Sequence, residues 1–398
     1  MVAIAALGVA ACFNEKDPGE DEGASGTTFT TLTTVSGTST TSAAPECTFD
    51  GECPEGYVCY EEKCELDASH CGEFGVSLPV VAPDLVLVLD KSGSMVKNVW
   101  DHDGDPNTMP VTRWKSLHAV VEQVVAGFDG SLNLGAVLFP ALAATWQYDA
   151  TACLMADAPD VLVEPLHGQA VLAALPGPDS NESVINGGTP ATRGIQLAFD
   201  HLSSLDDGLP KFMVMVTDGA ANCHEGAVDN FDLFETYDDG LLPLVQSAKA
   251  AGVPTFVVGI DIVDAVSQEI QDGSPNGTNT FAKLNELADA GGVPRDDPSE
   301  RFYNAANQVE LAAALTEIAG AVVSCTIVLD PAPIFPNYVE VQVGGVDFGT
   351  GTVGECGSED GWHYVDAEKT MIELCGQACA LFKQSGSMNA VYKCPPSG

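Results

Sequence analysis

Residues 85–95 read LVLVLDKSGSM. Leu85 to Leu89 form an unbroken aliphatic run that leads straight into an acid, two serines and a glycine. A short continuous aliphatic run fits a strand buried on both faces, as in a parallel sheet covered by helices. The oxygen-bearing residues at its end are then either the start of a binding site or a polar turn, and the rest of the chain has to decide between them.

The same pattern recurs downstream. Strands are expected at 85–89, 132–139 (LNLGAVLF), 212–217 (FMVMVT) and 255–260 (TFVVGI), and amphipathic helices at 112–127, 190–205, 241–251, 280–290 and 307–323. Buried strands alternating with helices predict an α/β domain over 76–325, a doubly wound, mostly parallel sheet with helices on both faces. Beyond Cys325 the helical period stops. Segments such as TIVLD, YVEVQVGGVDF, TMIELC, CALFK and MNAVYKC predict a small antiparallel β domain over 326–398, held by Cys356, Cys375, Cys379 and Cys394.

The N-terminal part is of a different kind. MVAIAALGVAAC is a short apolar run ending in Cys12, and it resembles a bacterial lipobox, whose cysteine is lipidated after cleavage. No basic residue precedes the run, and it is too short to span a membrane. Residues 13–45 are acidic and then rich in Thr, Ser and Gly, too poor in large apolar side chains to bury a core. They read as a tether of ~30 residues with a reach of about 30 Å. Residues 46–72 place five cysteines among almost no aliphatic residues, so this module must be stapled. Two bridges are expected among Cys47, Cys53, Cys59 and Cys64, and Cys71 is expected to pair with Cys325 across the ends of the α/β domain.

Composition narrows the function. The chain of 398 residues carries 57 acidic against 15 basic side chains, a formal charge of −42, which leaves no basic surface for nucleic acid. Thirteen cysteines without a C-x-x-C pair argue for disulfides in an oxidising compartment rather than for zinc. No G-x-S-x-G, H-E-x-x-H or P-loop pattern appears, and the seven histidines share no metal-binding spacing.

In a doubly wound sheet, ligands sit beyond the carboxyl ends of the strands. Asp90, Ser92 and Ser94 fall on that rim. So do Thr189, in the Gly-rich loop NGGTPATRGI before a helix, and Asp218, which follows the buried run FMVMVT. An Asp-x-Ser-x-Ser loop, a Gly-Gly-Thr-Pro loop and a Thr-Asp-Gly in this order resemble the von Willebrand factor type A domain and its metal-ion-dependent adhesion site. The resemblance covers roughly 80–325. It implies that Ser92, Ser94 and Thr189 contact Mg²⁺ (or Mn²⁺ or Ca²⁺) directly or through water, while Asp90 and Asp218 act through water. Neutral hydroxyls backed by carboxylates suit Mg²⁺, which keeps part of its water. The resemblance further implies a surface adhesion protein without enzymatic activity, in which an Asp or Glu of a protein partner completes the coordination. A structural envelope lipoprotein and, behind it, a metal-assisted hydrolase are the alternatives.

Three other features bear on this reading. SGSM returns at 385–388, but Lys383 stands where Asp90 would be, so this copy is expected to be a hairpin turn. Asp101, Asp103 and Asp105 alternate in a loop that could hold Ca²⁺ but lacks the terminal Glu of an EF-hand, so a solvated acidic loop is expected. The insert CHEGAVDNFDLFETYDDG after Asp218 carries His224, the one candidate base, and Cys223, which is expected to pair with Cys153.

Overall fold

The computed structural model describes residues 47–49, 52–53, 57–60, 63–66, 74–78, 82–350, 353–354, 356–357 and 359–393. The chain divides into two units, 1–65 and 66–398. Cys12, the 13–45 tether, Cys71 and Cys394 lie outside the described residues. In the first unit the strands Tyr57–Tyr60 and Lys63–Leu66 pair, and disulfides join Cys47 to Cys59 and Cys53 to Cys64.

The second unit is organised by the strand that contains Leu85 to Leu89. Asp84–Asp90 (β1) is buried along its whole length and lies in the middle of a six-stranded sheet. The other strands are Asn133–Phe139 (β2), Val161–Pro165 (β3), Lys211–Thr217 (β4), Thr255–Ile260 (β5) and Tyr303–Ala305 (β6), in the spatial order β6-β5-β4-β1-β2-β3. All neighbours are parallel except β3, which runs antiparallel to β2. The alternation within LVLVL now has a meaning. Leu85, Leu87 and Leu89 pack on one side with Arg113–Phe128 (α1) and Gln308–Val322 (α6), and Val86 and Val88 on the other with Ala191–Ser204 (α3), Leu241–Ala250 (α4) and Thr280–Gly291 (α5). Each of these side chains contributes about 1.5–3 kcal/mol by leaving water. A short helix, Gly168–Ala174 (α2), adds to the leucine side.

The expected helices form within a residue or two of their expected ends, because capping side chains mark them. Thr112 accepts from the Lys115 amide at the start of α1, and Asn307 accepts from the Glu310 amide at the start of α6. Strands β3 and β6 are not expected from the sequence. The first is half exposed and the second has three residues, so neither shows an aliphatic run.

The C-terminal part requires three corrections. First, Phe74–Leu78 does not belong to the α/β sheet. It pairs antiparallel with Met388–Tyr392, which in turn pairs with Val339–Val343, so the α/β sheet begins at Asp84. Second, Cys325 is bonded to Cys379 rather than to Cys71. The strand Thr326–Val328 pairs with Met371–Cys375, which brings the segment following Cys375 beside Cys325, with 5.5 Å between the Cα atoms of Cys325 and Cys379. Cys356 joins Cys375. Third, residues Gln377–Ser385 form a helix (α7) rather than a strand, since Ala378 and Phe382, four apart, are both buried. The SGSM copy at 385–388 is therefore a helix-to-strand turn rather than a hairpin, with Gly386 as the left-handed cap at φ +58°.

That turn packs on the end of α1. Ser131 Oγ donates to the Lys383 carbonyl at 2.7 Å, and a Cβ on residue 386 would stand 2.2 Å from the Gly130 carbonyl oxygen. Gly386→Ala is expected to lose both the cap and this contact, lowering stability by about 1–3 kcal/mol. A urea midpoint that shifts down with an unchanged m-value is the expected readout.

Candidate functional site

The strand order reverses between β1 and β4, because the chain proceeds from β1 through β2 to β3 on one side and then crosses to β4 on the other. The carboxyl ends of β1 and β4 thus form a switch point, where a doubly wound sheet opens a crevice. Asp90 is the last residue of β1, and Asp218 follows the last residue of β4.

Asp90 is completely buried and holds both loops. Its Oδ1 accepts from the Ser92 amide at 2.7 Å, and its Oδ2 accepts from the Thr217 hydroxyl at 2.7 Å. The backbone folded over Asp90 brings the Ser92 and Ser94 hydroxyls to 2.9 Å from each other, and Ser94 donates to Asp218 Oδ1 at 2.5 Å. The third loop is tied in by its backbone. The Gly93 amide donates to the Gly187 carbonyl at 3.2 Å, and Thr189 exchanges two bonds with Asn222, through its amide at 2.7 Å and its carbonyl at 3.0 Å. Gly187 has φ +98°, and a Cβ on Gly188 would lie 2.7 Å from Cys223 Sγ, so this loop requires its glycine pair. Ser92, Ser94, Thr189 and Asp218 line one cavity of about 370 Å³, while Asp90 lies beneath them.

Two cations outside the motif's oxygen ligands complete the site. Arg113, the first residue of α1, donates Nη1 to Asp218 Oδ2 at 2.9 Å and Nη2 to Asp261 Oδ2 at 2.5 Å. Asp218 thus splits its oxygens, one to Arg113 and one to the rim. Lys91 is fully buried, and its ammonium faces the carbonyls of Val184 (3.4 Å) and Asn186 (3.3 Å), which joins the first loop to the segment before Gly187. A basic residue at the first position of a helix that follows the acidic loop was the available signal for Arg113; Lys91, inside the motif, gave none of its own.

Burial, and then the neighbouring Asp218 carboxylate, push Asp90 up to about 7. Burial also raises Asp218, against the opposing pull of Arg113. For Lys91, burial lowers the ammonium to about 8, opposed by Asp90 and Asp160. Burial thus favours the neutral form of both carboxylates, even with Arg113 paired to Asp218. Three hydroxyl oxygens at a cavity wall, over two such carboxylates, form a donor set that fits a hard divalent cation. Such an ion would offset the burial of these two charges.

The other candidates fall away from the cavity. His224 does not line it. Burial disfavours its charge, but the Glu225 carbonyl and the Asp232 carboxylate, 3.2 Å from Nε2, raise its pKa. Asp101, Asp103 and Asp105 are turned onto their own loop, accepting from the amides of Gly104, Asp105 and Asn107 at 2.9–3.0 Å. Cys153 and Cys223 are joined by a disulfide, which pins the insert after Asp218 to the loop after β2.

These features define a doubly wound α/β protein whose switch point gathers three hydroxyls and two buried carboxylates. No protein-family model matches the chain, and no curated protein matches it. Among solved structures it is similar to the pilus adhesin SpaC from Lactobacillus rhamnosus GG, at 16% identity over 78% of this chain and 39% of the adhesin, with a TM-score of 0.45. It is also similar to BatB from Bacteroides thetaiotaomicron (16% identity, 60% of this chain and 99% of that one, TM-score 0.36). A third is the PilB minor pilin from Streptococcus sanguinis (17% identity, 60% of each chain, TM-score 0.37). The chain spans about two fifths of the adhesin's length. With TM-scores under 0.5, none of these likenesses decides fold or function.

The raised Asp90 has a pH signature. Unfolded, this carboxyl ionises near 3.8; folded, it holds its proton to about 7. Between these values the folded state binds the extra proton, so its contribution to stability falls as pH rises through the window and levels off above it. In EDTA, the difference in Tm between Asp90→Asn and wild type is expected to grow from pH 4 to 7 in favour of the variant. A difference that stays flat across this range contradicts the assignment.

Proposed function

We propose that this chain is a surface-exposed or secreted binding protein of adhesion type. Its rim holds a divalent cation, Mg²⁺ before Mn²⁺ or Ca²⁺, and engages an Asp or Glu of a protein partner. The observation that carries this reading is the convergence of Ser92, Ser94, Thr189 and Asp218, from three separated segments, on one cavity at the switch point. Asp90 keeps the loops in register, Ser92, Ser94 and Thr189 offer hydroxyl oxygens, and Asp218 contributes charge from behind Ser94. When bound, the cation supplies an electrophilic position that a carboxylate can fill.

Five disulfides among the described residues fit an oxidising, extracellular setting. Among the described residues no helix is long and apolar enough to cross a membrane. Lipidation of Cys12 would then anchor the chain at the bacterial envelope. Binding is favoured over hydrolysis because His224, the one base offered by the sequence, is engaged by Asp232 away from the cavity.

The test uses metal and partner separately. Mg²⁺ at 100 times its Kd is expected to stabilise the wild-type fold by about 2.7 kcal/mol. Ser92→Ala should lose most of this shift while keeping its circular dichroism. Capture of a partner from envelope extracts should vanish in EDTA and with Ser92→Ala. A melting temperature that ignores Mg²⁺, Mn²⁺ and Ca²⁺ would falsify the metal site. A shift without metal-dependent capture would mark the ion as structural only.

A further inference from the structure

Of the four tryptophans, Trp100, Trp114 and Trp362 are 5%, 0% and 1% exposed, whereas Trp146 is 74% exposed. Leaving an indole in water forgoes the largest burial gain that any side chain offers. Trp146 lies on the loop between β2 and β3 and lines the same cavity as Ser92, Ser94, Thr189 and Asp218. Leu142 and Leu154, from the same loop, are also exposed, at 52% and 43%.

The loop holds this surface in place. The Ala141 amide donates to the Leu154 carbonyl at 2.8 Å, and the Thr145 amide to the Thr151 carbonyl at 3.1 Å. Tyr148 packs on Phe234 with ring centroids 4.5 Å apart and donates to Glu235 at 2.7 Å, and the Cys153–Cys223 disulfide closes the base. The backbone that carries Trp146 is thus braced, which lowers what a partner pays to order it. Exposed aromatics of this kind are typical anchors of binding hot spots.

Charge narrows the partner further. The chain carries −42, and Glu182 and Asp272 line the same cavity together with Asp218 against a single cation there, Lys97, so a segment rich in acids is repelled before it arrives. At about 370 Å³ the cavity lies near the small end of ligand-sized pockets and holds only a few side chains of a peptide. We infer that the partner's binding segment carries a single carboxylate with a large apolar side chain within a few residues and no other acid nearby. The carboxylate goes to the hydroxyl rim, and the apolar side chain packs against Trp146. This inference rests on the carboxylate-binding reading above and names its ligand class.

Trp146 is also the reporter, since the other three indoles are shielded from acrylamide. The probes are the hexapeptide Ac-Gly-Phe-Gly-Asp-Gly-Lys-NH2, the same peptide with Gly for Phe, and the same peptide with Asn for Asp, added at up to millimolar concentration to the full chain in Mg²⁺. The Phe peptide is expected to bind about tenfold more tightly than the Gly peptide and to protect the indole from quenching. By calorimetry, Trp146→Ala should bind both at the Gly level, with the Mg²⁺ melting shift unchanged. Equal affinity of the Phe and Gly peptides, or quenching that no peptide alters, overturns the inference. Protection that survives EDTA or the Asn substitution overturns the metal reading instead, and leaves Trp146 as a plain apolar dock. Protection by Mg²⁺ alone together with a doubled mass in sedimentation identifies a second copy of the chain as the occupant, and overturns the peptide class.

Discussion

Both oxygens of the Asp90 carboxylate are taken by neighbouring loops, one by the Ser92 amide and one by the Thr217 hydroxyl. A carboxylate without exposure is costly to keep charged, and its hydrogen bonds offset only part of the lost water, which leaves its pKa raised. Those two bonds also set the positions of everything at the rim. Ser92 and Ser94 are aimed by the first, and the end of β4, with Asp218 behind it, is held against β1 by the second. Removing this one group would therefore disturb two strand ends at once, a larger effect than the loss of a surface acid.

Around Asp90 the positive charges are placed as struts. Arg113 spans Asp218, beyond β4, and Asp261, beyond β5, so a single guanidinium links the ends of two parallel strands to the start of α1. Its planar fork suits this two-sided grip, which a lysine could not reproduce. Lys91 performs the corresponding task on the other side, bracing the segment before the Gly187–Gly188 pair. The rim is thus braced from both sides, and the Cys153–Cys223 bridge ties the loop bearing Trp146 to the insert after Asp218.

The two SGSM copies show how little a tetrapeptide decides. They lie near opposite ends of α1, a helix about 24 Å long, one at the rim beside Arg113 and the other against Gly130. Met95 and Met388 are both buried, so the last residue of the motif serves the core in each case. At 385–388 the Ser385 hydroxyl turns back onto the Ser387 amide and carbonyl, both at 3.3 Å. At 92–95 the two serine hydroxyls bond each other instead, Ser94 donates on to Asp218, and the Ser92 amide is held by Asp90.

The aliphatic runs at 85–89, 212–217 and 255–260, and the helical periods between them, were enough to state the doubly wound sheet and to place Asp90, Ser92, Ser94, Thr189 and Asp218 on its rim. These are features of single segments, and burial on both faces leaves few other ways to arrange them. Local sequence could not show that Arg113 reaches across to Asp218 and Asp261, that Cys325 meets Cys379, or that Phe74–Leu78 crosses to Met388–Tyr392. Nor could it show that one tryptophan of four stands in the open beside the hydroxyls. Each of these depends on two segments far apart in the chain, and only the packing of the whole unit decides which of them come within a few ångströms of each other.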